Sequence, residues 1–369
     1  MTNSENNSSM TRRSFGNTLL AAWASLTGAA TAKSAEGTWR MPDEGEPHRR
    51  TWMAYGASRD VWGKRLLPVV QDNLITLANT IAQFEPVTLL VRPEERAAVA
   101  PRLKPQVSVL EAGLDDLWIR DTGPVFVHNT QGQRAGVDFN FNGWGEKQAH
   151  AQDAQVAERV CRQAGVTVLE TDLVLEGGGI EVDGHGTAII TESCVLNDNR
   201  NPGLGRKEVA QELERLLGIR HIIWLPGIAG QDITDGHTDF YARFSKPGAV
   251  LAHLDPDPQS FDHAVTREHL AILRRAKDAS GRSLQVSTME APSRVRPAFD
   301  NKDFTAGYIN FYVCNGAVIT PEFGDRRADS EAQRILAAHF PGRKIVALNI
   351  DGIAAGGGGI HCATQQEPR

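Results

Sequence analysis

About five copies of one structural unit recur along the chain, and this recurrence restricts the possible folds more than any other property of the sequence. Each unit joins an amphipathic helix to a short apolar strand, a loop and a pair of strands. Apolar strands are predicted at 86–91, 107–112, 166–170, 221–226, 283–288 and 344–349, with helices near 65–83, 151–164, 206–217, 261–277 and 329–339. Because one unit cannot bury its apolar face alone, the pattern predicts a repeat architecture around a central site. An ordinary α/β sheet would show a similar order of elements, and periodicity does not separate the two.

The first 32 residues have the features of an export signal. An arginine pair at 12–13 precedes an apolar run at 19–30, and the small-residue sequence ATA stands at 30–32. This run is too short to span a bilayer, so it predicts a signal peptide at 1–32 rather than a membrane anchor. Paired arginines ahead of the run indicate twin-arginine export. We therefore expect residues 33–369 to form a single domain that works in the periplasm or outside the cell.

The bulk composition excludes several classes of protein. The chain has 369 residues, of which 41% are hydrophobic, and it carries a net charge of -6. It has no excess of positive charge, so we predict neither a nucleic-acid partner nor a membrane partner. The four cysteines are too few and too scattered for a disulfide scaffold or a paired-cysteine metal site.

Unusual residues collect in the loops at 118–124, 175–184, 234–239, 307–312 and 356–362. The last of these, GGGGIHC, places Cys362 beside the C-terminus, where chains are usually frayed. Four ordered glycines are costly in backbone entropy, but they let a chain approach a ligand closely. A thiol in that setting suits a nucleophile, although the local sequence leaves a buried structural cysteine equally open. Cys161, Cys194 and Cys314 lie in helical or strand-like runs, and we interpret them as small buried hydrophobes.

A histidine and several carboxylates occupy three of these loops. His237 and Asp239 are two residues apart in TDGHTD, so an extended backbone points both to one face, which Asp235 can share. A histidine beside a carboxylate is a general acid–base unit, whereas Asp-Gly also marks a plain surface turn. Asp121 in WIRDTGP and Glu176 in LEGGG again place an acid in a loop, although each alone is more often a solvated loop residue.

A thiol, a histidine and a surplus of carboxylates together suit a planar cation better than a neutral amide. Guanidinium offers N–H donors in a fixed fork, and two carboxylates can hold it while its central carbon stays open. The bound cation would lower the pKa of the Cys362 thiol, which adds to that carbon while His237 protonates the departing ammonia. His237 then activates a water that hydrolyses the covalent intermediate to a urea. This chemistry needs no metal and no organic cofactor.

The motifs and their order are similar to those of the agmatine deiminase and bacterial peptidylarginine deiminase family, within the guanidine-modifying superfamily. The similarity runs from MPDEGEPHRRTWMAYG at 41–56 to GGGGIHCATQQEP at 356–368. Between them lie WIRDTGPVFV, FNFNGWGEK, LEGGGIEVDGHGTAIITESCVLNDNRNP, WLPGIAGQDITDGHTD and YINFYVCNGAVITPEFGD. The resemblance implies a single-domain, five-bladed pseudosymmetric α/β propeller of the pentein type. Its deiminase active site would lie at the centre, within residues 33–369.

The resemblance also implies roles for individual residues. It gives the nucleophile role to Cys362, acid–base catalysis to His237, guanidinium binding to Asp121 and Asp239, and support of the histidine to Glu176. Three further loop residues are expected to contribute to substrate binding: Trp118, Asp235 and Gly359. The expected partner is a small guanidino substrate or the arginine side chain of a peptide.

Four departures from the family pattern fall at Gly45, at Tyr55-Gly56, at Phe240 and in GIAGQDIT at 227–234. The typical residues there are Trp, Trp-Pro, Asn and GGIAGDDT. We expect these positions to line the part of the pocket that accepts the substrate tail. The complete set of motifs favours hydrolysis of agmatine to N-carbamoylputrescine and ammonia. Export and the missing Trp favour the alternative, a peptidylarginine or free arginine deiminase that gives citrulline.

Two interpretations fall outside this chemistry. A protein that only binds guanidinium compounds would need the carboxylates but no thiol, so Cys362 discriminates against it. A zinc site built from His237, Asp239, His361 and Cys362 has suitable ligand types, but the spacing matches no common structural zinc pattern.

Overall fold

Five small sheets, rather than one continuous sheet, form the framework across residues 38–299 and 301–369, which the computed structural model describes. The signal peptide predicted at 1–32 lies outside these residues. The strands are β1 Trp39–Arg40, β2 His48–Tyr55, β3 Val87–Val91, β4 Val107–Glu111, β5 Val125–Asn129, β6 Arg134–Val137, β7 Thr167–Leu169, β8 Glu181–Val182, β9 Thr187–Thr191, β10 His221–Leu225, β11 Ala242–Lys246, β12 Ala249–Leu254, β13 Gln285–Glu290, β14 Tyr312–Cys314, β15 Ala317–Glu322, β16 Lys344–Asn349 and β17 Gln365–Pro368. The helices are α1 Arg59–Ile81, α2 Arg96–Val99, α3 Ile119–Thr122, α4 Gly143–Glu146, α5 Val156–Ala164, α6 Glu192–Val195, α7 Arg206–Leu217, α8 Asp262–Arg275, α9 Arg326–His339 and α10 Asp351–Ala354.

Four of the sheets share one topology. In the sheet β11-β12-β13, the first two strands are antiparallel, and helix α8 crosses over to bring β13 parallel to β12. The same order recurs in β5-β6-β7 with α5, in β8-β9-β10 with α7 and in β14-β15-β16 with α9. A parallel connection needs a long crossover, which explains why a helix follows each strand pair in the sequence.

The fifth sheet joins the two ends of the described chain. The last strand, β17, pairs antiparallel with β2, and β3 and β4 extend this sheet in parallel. Neighbouring sheets touch around the whole set, through β17 and β5, α7 and β1, β8 and β11, and α9 and β13. Thr51 of β2 and Tyr312 of β14 complete the circuit with a hydrogen bond of 2.9 Å. The predicted ring of five α/β units is therefore confirmed.

The helices pack against the sheets through the apolar faces that the sequence pattern indicates. In α7, Val209, Leu213, Leu216 and Leu217 are buried and recur at the spacing of one helical face. The helix ends at Leu217 and is capped by Gly218. Gly218 has a left-handed backbone conformation, which a glycine adopts at low cost. Across residues 38–299 and 301–369, no helix combines the length and the apolar character needed to cross a membrane.

The predicted element boundaries differ from the structure in three informative places. Helix α1 begins at Arg59 rather than 65, because Ser58 caps it and Gly63, with a φ of 64°, bends the chain within it. Helix α5 begins at Val156 rather than 151, because the residues before it form a separate 3-10 turn. Cys194 lies in the one-turn helix α6 and not in the strand that its run suggested.

Glu367 connects the closing strand to its neighbours. Its buried carboxylate accepts a hydrogen bond from Trp52 Nε1 at 3.1 Å and pairs with Arg134 of β6. We expect Glu367→Ala to lower the free energy of unfolding by about 1–3 kcal/mol, because buried donors lose their acceptor. Chemical denaturation measures this loss. In the control Glu158→Ala, which removes an exposed pair with Arg162, stability should hardly change, and equal losses in both variants would contradict the role of Glu367.

Candidate active site

A cavity of about 810 Å³ reaches Cys362 and is lined by residues from several of the five units. Its size lies in the range of small-molecule sites, roughly 300–1,000 Å³. The lining residues that matter most for the chemistry are Trp118, Asp121, Trp144, Phe240, Gly358 and Cys362.

The glycine run before Cys362 passes through spaces that exclude a side chain. A β-carbon at Gly358 would lie 2.1 Å from the ring of Trp118, and one at Gly359 would lie 2.3 Å from Asn310 Oδ1. The chain therefore threads between an aromatic wall and an amide side chain just before the thiol. This close fit explains why glycines precede the cysteine.

The Cys362 thiol is buried beside two polar side chains. Its Sγ lies 3.3 Å from Asn310 Nδ2 and 3.5 Å from Asp239 Oδ2. Asn310 Oδ1 also accepts the backbone N–H of His361 at 2.9 Å, so the same amide fixes the backbone that carries the thiol. Burial, and then the carboxylates of Asp239 and Asp121, raise the pKa of Cys362 well above its ordinary value. Cys362 is therefore a thiol and not a thiolate at neutral pH.

His237 lies between two carboxylates. Its Nε2 is 3.2 Å from Glu176 Oε2, and its Nδ1 is 3.7 Å from Asp121 Oδ2. Burial lowers the pKa of His237, but the Asp121, Cys194 and Glu176 side chains outweigh burial and raise it well above its ordinary value. The ring is therefore an imidazolium at neutral pH and can donate a proton.

Glu176 orients the His237 ring from a fully buried position. Arg200 Nε donates to its two oxygens at 2.8 and 3.0 Å, and Cys194 Sγ lies 3.5 Å from Oε2. Burial raises the pKa of Glu176, but the hydrogen bond with His237 and the charge of Arg200 outweigh burial and lower it. Glu176 thus stays ionised beside the imidazolium.

The two carboxylates expected to bind guanidinium differ in their ionisation. Burial raises the pKa of Asp121 to about 6, although Trp144 donates its indole N–H to Oδ2 at 3.0 Å. Burial also raises the pKa of Asp239, but His361 Nδ1, 2.8 Å from Oδ2, helps to lower it below its ordinary value. Asp239 Oδ1 is buried and has no hydrogen-bond partner among the described residues. Because such an oxygen is costly to leave unpaired, Oδ1 is an open acceptor for a cation.

His237, Asp121 and Asp239 converge on one point in front of Gly178. A β-carbon built on Gly178 would lie 2.6 Å from His237 Nδ1, 2.8 Å from Asp121 Oδ1 and 3.2 Å from Asp239 Oδ2. The backbone N–H of Gly178 also donates to Asp121 Oδ1 at 3.0 Å. The absence of a side chain here lets two carboxylates and an imidazole pack directly against the backbone, next to the cavity that Asp121 and Cys362 line. This concentration of acceptors beside the cavity suits a planar cation.

A further carboxylate, that of the largely buried Glu44, connects this cluster to the rest of the ring. Its Oε2 lies 2.8 Å from His361 Nε2 and 3.1 Å from Arg120 Nη2, and its Oε1 accepts from Arg243 Nη2 at 2.9 Å. Burial raises the pKa of Glu44, but Arg243, His361 and Arg120 outweigh burial and lower it well below its ordinary value. His361 therefore links Glu44 to Asp239, the acid that faces the Cys362 thiol.

Most of the site residues predicted from the sequence lie in one buried cluster, formed by Cys362, His237, Asp121, Asp239 and Glu176. Trp118 lines the cavity. Asp235 does not line it, and its carboxylate accepts from Lys147 Nζ at 2.7 Å and from Arg200 Nη1 at 2.9 Å. Gly359 packs against the Asn310 side chain. The substrate-binding roles of Trp118, Asp235 and Gly359 stay predictions.

Four residues complete this geometry without having been singled out from the sequence: Asn310, Gly178, Trp144 and Glu44. The motifs around them were recognised, because Asn310 lies in the loop at 307–312 and Trp144 in FNFNGWGEK. Their functions depend on partners far away in the chain, so no local pattern indicates them. Folding alone brings residue 310 beside residue 362.

The expectation that the departures from the family pattern line the substrate pocket holds for Phe240 and for the loop at 227–234, whose residues 231–234 line the cavity. Gly45 and Gly56 do not line this cavity. A β-carbon on Gly45 would lie 2.7 Å from Asp43 Oδ1, and one on Gly56 would lie 1.8 Å from the Asp116 carbonyl oxygen. These two glycines therefore reflect close backbone packing, and the expectation is wrong for them.

The fold and the site together define a hydrolase of the guanidine-modifying class. The ring of five units surrounds a buried cysteine, an imidazolium and several carboxylates, as the motifs implied. The chain belongs to the Porphyromonas-type peptidyl-arginine deiminase family, which matches residues 40–368.

Several relatives cover nearly the whole described chain. An agmatine deiminase of Stutzerimonas stutzeri is 38% identical, over 92% of this chain and 98% of the relative. One from Pseudomonas aeruginosa is 37% identical, over 89% of this chain and 95% of the relative. The solved structure of the agmatine deiminase of Enterococcus faecalis superposes with a TM-score of 0.83 at 34% identity, covering 90% of this chain and 96% of that one.

One added methyl group tests whether the close packing at Gly178 fixes the placement of His237 and Asp121. We expect Gly178→Ala to lower kcat/KM on the order of 100-fold or more, because misplacing reacting groups by about 1 Å has effects of that size. Gly179→Ala is the matched control, since its β-carbon would meet nothing nearer than Leu175 Cδ1 at 3.3 Å. Steady-state kinetics gives the comparison, and circular dichroism checks folding. Wild-type activity in Gly178→Ala would contradict this placement.

Proposed function

We propose that the protein hydrolyses the guanidinium group of agmatine to N-carbamoylputrescine and ammonia. The observation that carries this proposal is the convergence of His237, Asp121 and Asp239 in front of Gly178, beside the Cys362 thiol. A planar cation in the adjoining cavity, which Asp121 and Cys362 line, can donate N–H groups to the carboxylates and present its central carbon to Sγ. Relatives that are named agmatine deiminase support the choice of substrate.

The first half of the proposed reaction forms a covalent intermediate. The positive charge of the bound substrate offsets the carboxylates around Cys362, and the thiol releases its proton to solvent. A bond forms between Sγ and the guanidinium carbon, and the bond from that carbon to one terminal nitrogen breaks. His237 gives its proton to the departing nitrogen, which leaves as ammonia. A thiouronium group remains on the cysteine.

The second half returns the enzyme to its starting state. Water adds to the same carbon and passes one proton to the now neutral His237. The C–S bond then breaks as the carbonyl bond forms, and the remaining hydroxyl proton goes to the departing sulfur. The product is a urea, and Glu176 stabilises the imidazolium that has re-formed.

The charge around the cavity supports agmatine over free arginine. Its lining carries many carboxylates and few cations, namely Asp116, Asp121, Asp232, Asp255, Asp257, Asp262 and Asp303 against Arg65 and Lys302. Agmatine has a second positive charge and no carboxylate, so this field attracts it. Free arginine carries a carboxylate that the same field repels.

We also propose that the protein is exported by the twin-arginine route and works in the periplasm or outside the cell. The support is the arginine pair at 12–13 ahead of the apolar run at 19–30. Cell fractionation should find the wild-type protein outside the cytoplasm and a variant with lysine at both arginine positions inside it. Cytoplasmic wild-type protein would exclude this route.

Ammonia release from agmatine, free arginine and an arginine-containing peptide, measured side by side, tests the proposed substrate. We expect the highest kcat/KM with agmatine because of the acidic lining, and no turnover by Cys362→Ser with any of the three compounds. Release from the peptide in preference to agmatine would make the protein a peptidylarginine deiminase. Silence on all three by the folded, reduced protein would favour a guanidinium-binding protein.

A further inference from the structure

Cys194 lies against the two residues that orient and carry the proton in the proposed mechanism. Its Sγ is 3.5 Å from Glu176 Oε2, and His237 Nε2 is 3.2 Å from the same oxygen. One ligand atom from each of the three lies within 4.8 Å of the others, and all three side chains are buried. Within the described part of the chain, no other group of three such side chains converges in this way. We propose that Glu176, Cys194 and His237 form an inhibitory site for a divalent transition metal, with zinc as the best match.

The two separations measured from Glu176 Oε2 match those around a tetrahedral zinc ion. Bond lengths of about 2.0–2.1 Å to nitrogen and oxygen and about 2.3 Å to sulfur place adjacent N and O ligands about 3.3 Å apart, and adjacent S and O ligands about 3.5 Å apart. The corresponding separations at Glu176 Oε2 are 3.2 Å to His237 and 3.5 Å to Cys194. Hydrogen bonds between these atoms have the same lengths, so cobalt titration is needed to distinguish a metal site from a hydrogen-bonded cluster.

The surroundings suit a bound ion as well as the distances do. Thiolate, imidazole and carboxylate are the ligand types that zinc takes, and three protein ligands leave a fourth position open. A β-carbon on Gly179 would lie 3.3 Å from Leu175 Cδ1, 3.6 Å from Cys194 Sγ and 3.9 Å from His237 Cδ2, so the glycine keeps a further side-chain atom away from the ligands. Arg200 Nε, 2.8 Å from Glu176 Oε1, would keep the carboxylate oriented from outside the coordination sphere.

Metal binding leaves the charge of the buried cluster unchanged. The ion replaces two protons, one from the Cys194 thiol and one from the His237 imidazolium, and both leave for solvent. No additional net charge is therefore buried, which removes the largest penalty that a charged group meets inside a protein.

Occupation of this site would stop the reaction without blocking substrate binding. A metal on Nε2 leaves one proton on Nδ1, but a neutral imidazole is a far weaker acid than the imidazolium, so the departing nitrogen loses its effective proton donor. Cys362, Asp121 and Asp239 are not ligands and stay free to bind the cation. The site goes beyond the proposed function, because metal binding does not depend on which substrate the enzyme hydrolyses.

Cobalt titration of the purified protein tests the site directly. Co²⁺ alone should produce a thiolate charge-transfer band and the visible bands of a tetrahedral ion, and Zn²⁺ should displace it. In Cys194→Ser these bands should disappear, and zinc affinity should fall on the order of 10–100-fold or more. Cys362→Ser should retain the bands. Cys314→Ser, which alters a buried thiol in β14, is the matched control and should also retain them.

Ammonia release in the presence of Zn²⁺ then tests the inhibition. The zinc concentration that halves wild-type activity should rise in Cys194→Ser by the factor measured for affinity, with Cys194→Ala as a second thiol-free variant and circular dichroism to check folding. Loss of the cobalt bands in Cys362→Ser and not in Cys194→Ser would overturn the proposal and place the metal on the nucleophile. Absence of bands in the wild-type protein, or metal binding without inhibition, would also overturn it. Because the bands are read without substrate, failure here is distinct from failure of agmatine turnover.

Discussion

The rest of the structure depends on the hydrogen bonds and ion pairs that the Glu44 carboxylate makes. The carboxylate accepts hydrogen bonds from Arg120, Arg243 and the backbone N–H of Val313, and it lies 2.8 Å from His361 Nε2. These partners come from α3, β11, β14 and the C-terminal loop, which belong to different parts of the ring. Buried charges are costly unless every one is paired, so the network forms only when the ring closes in one register. Because His361 precedes the cysteine, closure also positions the nucleophile at the end of the chain.

The carboxylates around Cys362 favour the binding of a cation. Burial, and then the carboxylates of Asp239 and Asp121, raise the pKa of Cys362, and in the proposed mechanism the same two carboxylates bind guanidinium. A bound cation cancels the charge that holds the proton on sulfur. In the proposed mechanism, substrate binding itself therefore creates the thiolate, and Cys362 stays unreactive until a substrate arrives.

Features that rest on short-range pattern were predictable from the sequence, and features that rest on long-range packing were not. The strands and the crossover helices follow from periodicity and turn residues, whereas the clustering of Cys362 with His237 was implied by the resemblance of the motifs to a known family. Glu44 and Asn310 could not be assigned, because their partners lie far away in the sequence and meet them only in the closed ring. Cys194 was interpreted as a buried hydrophobe, since nothing local indicates that it touches Glu176.

Mass spectrometry of the intact protein, quenched during turnover of agmatine, tests the central claim most directly. The proposed mechanism predicts an adduct with the mass of agmatine minus ammonia, located on the peptide that contains Cys362 and absent from Cys362→Ser. The adduct should disappear once the substrate is consumed, because water completes the reaction. Turnover by Cys362→Ser, or turnover by the wild-type protein with no adduct at any time, would contradict a covalent mechanism at this cysteine.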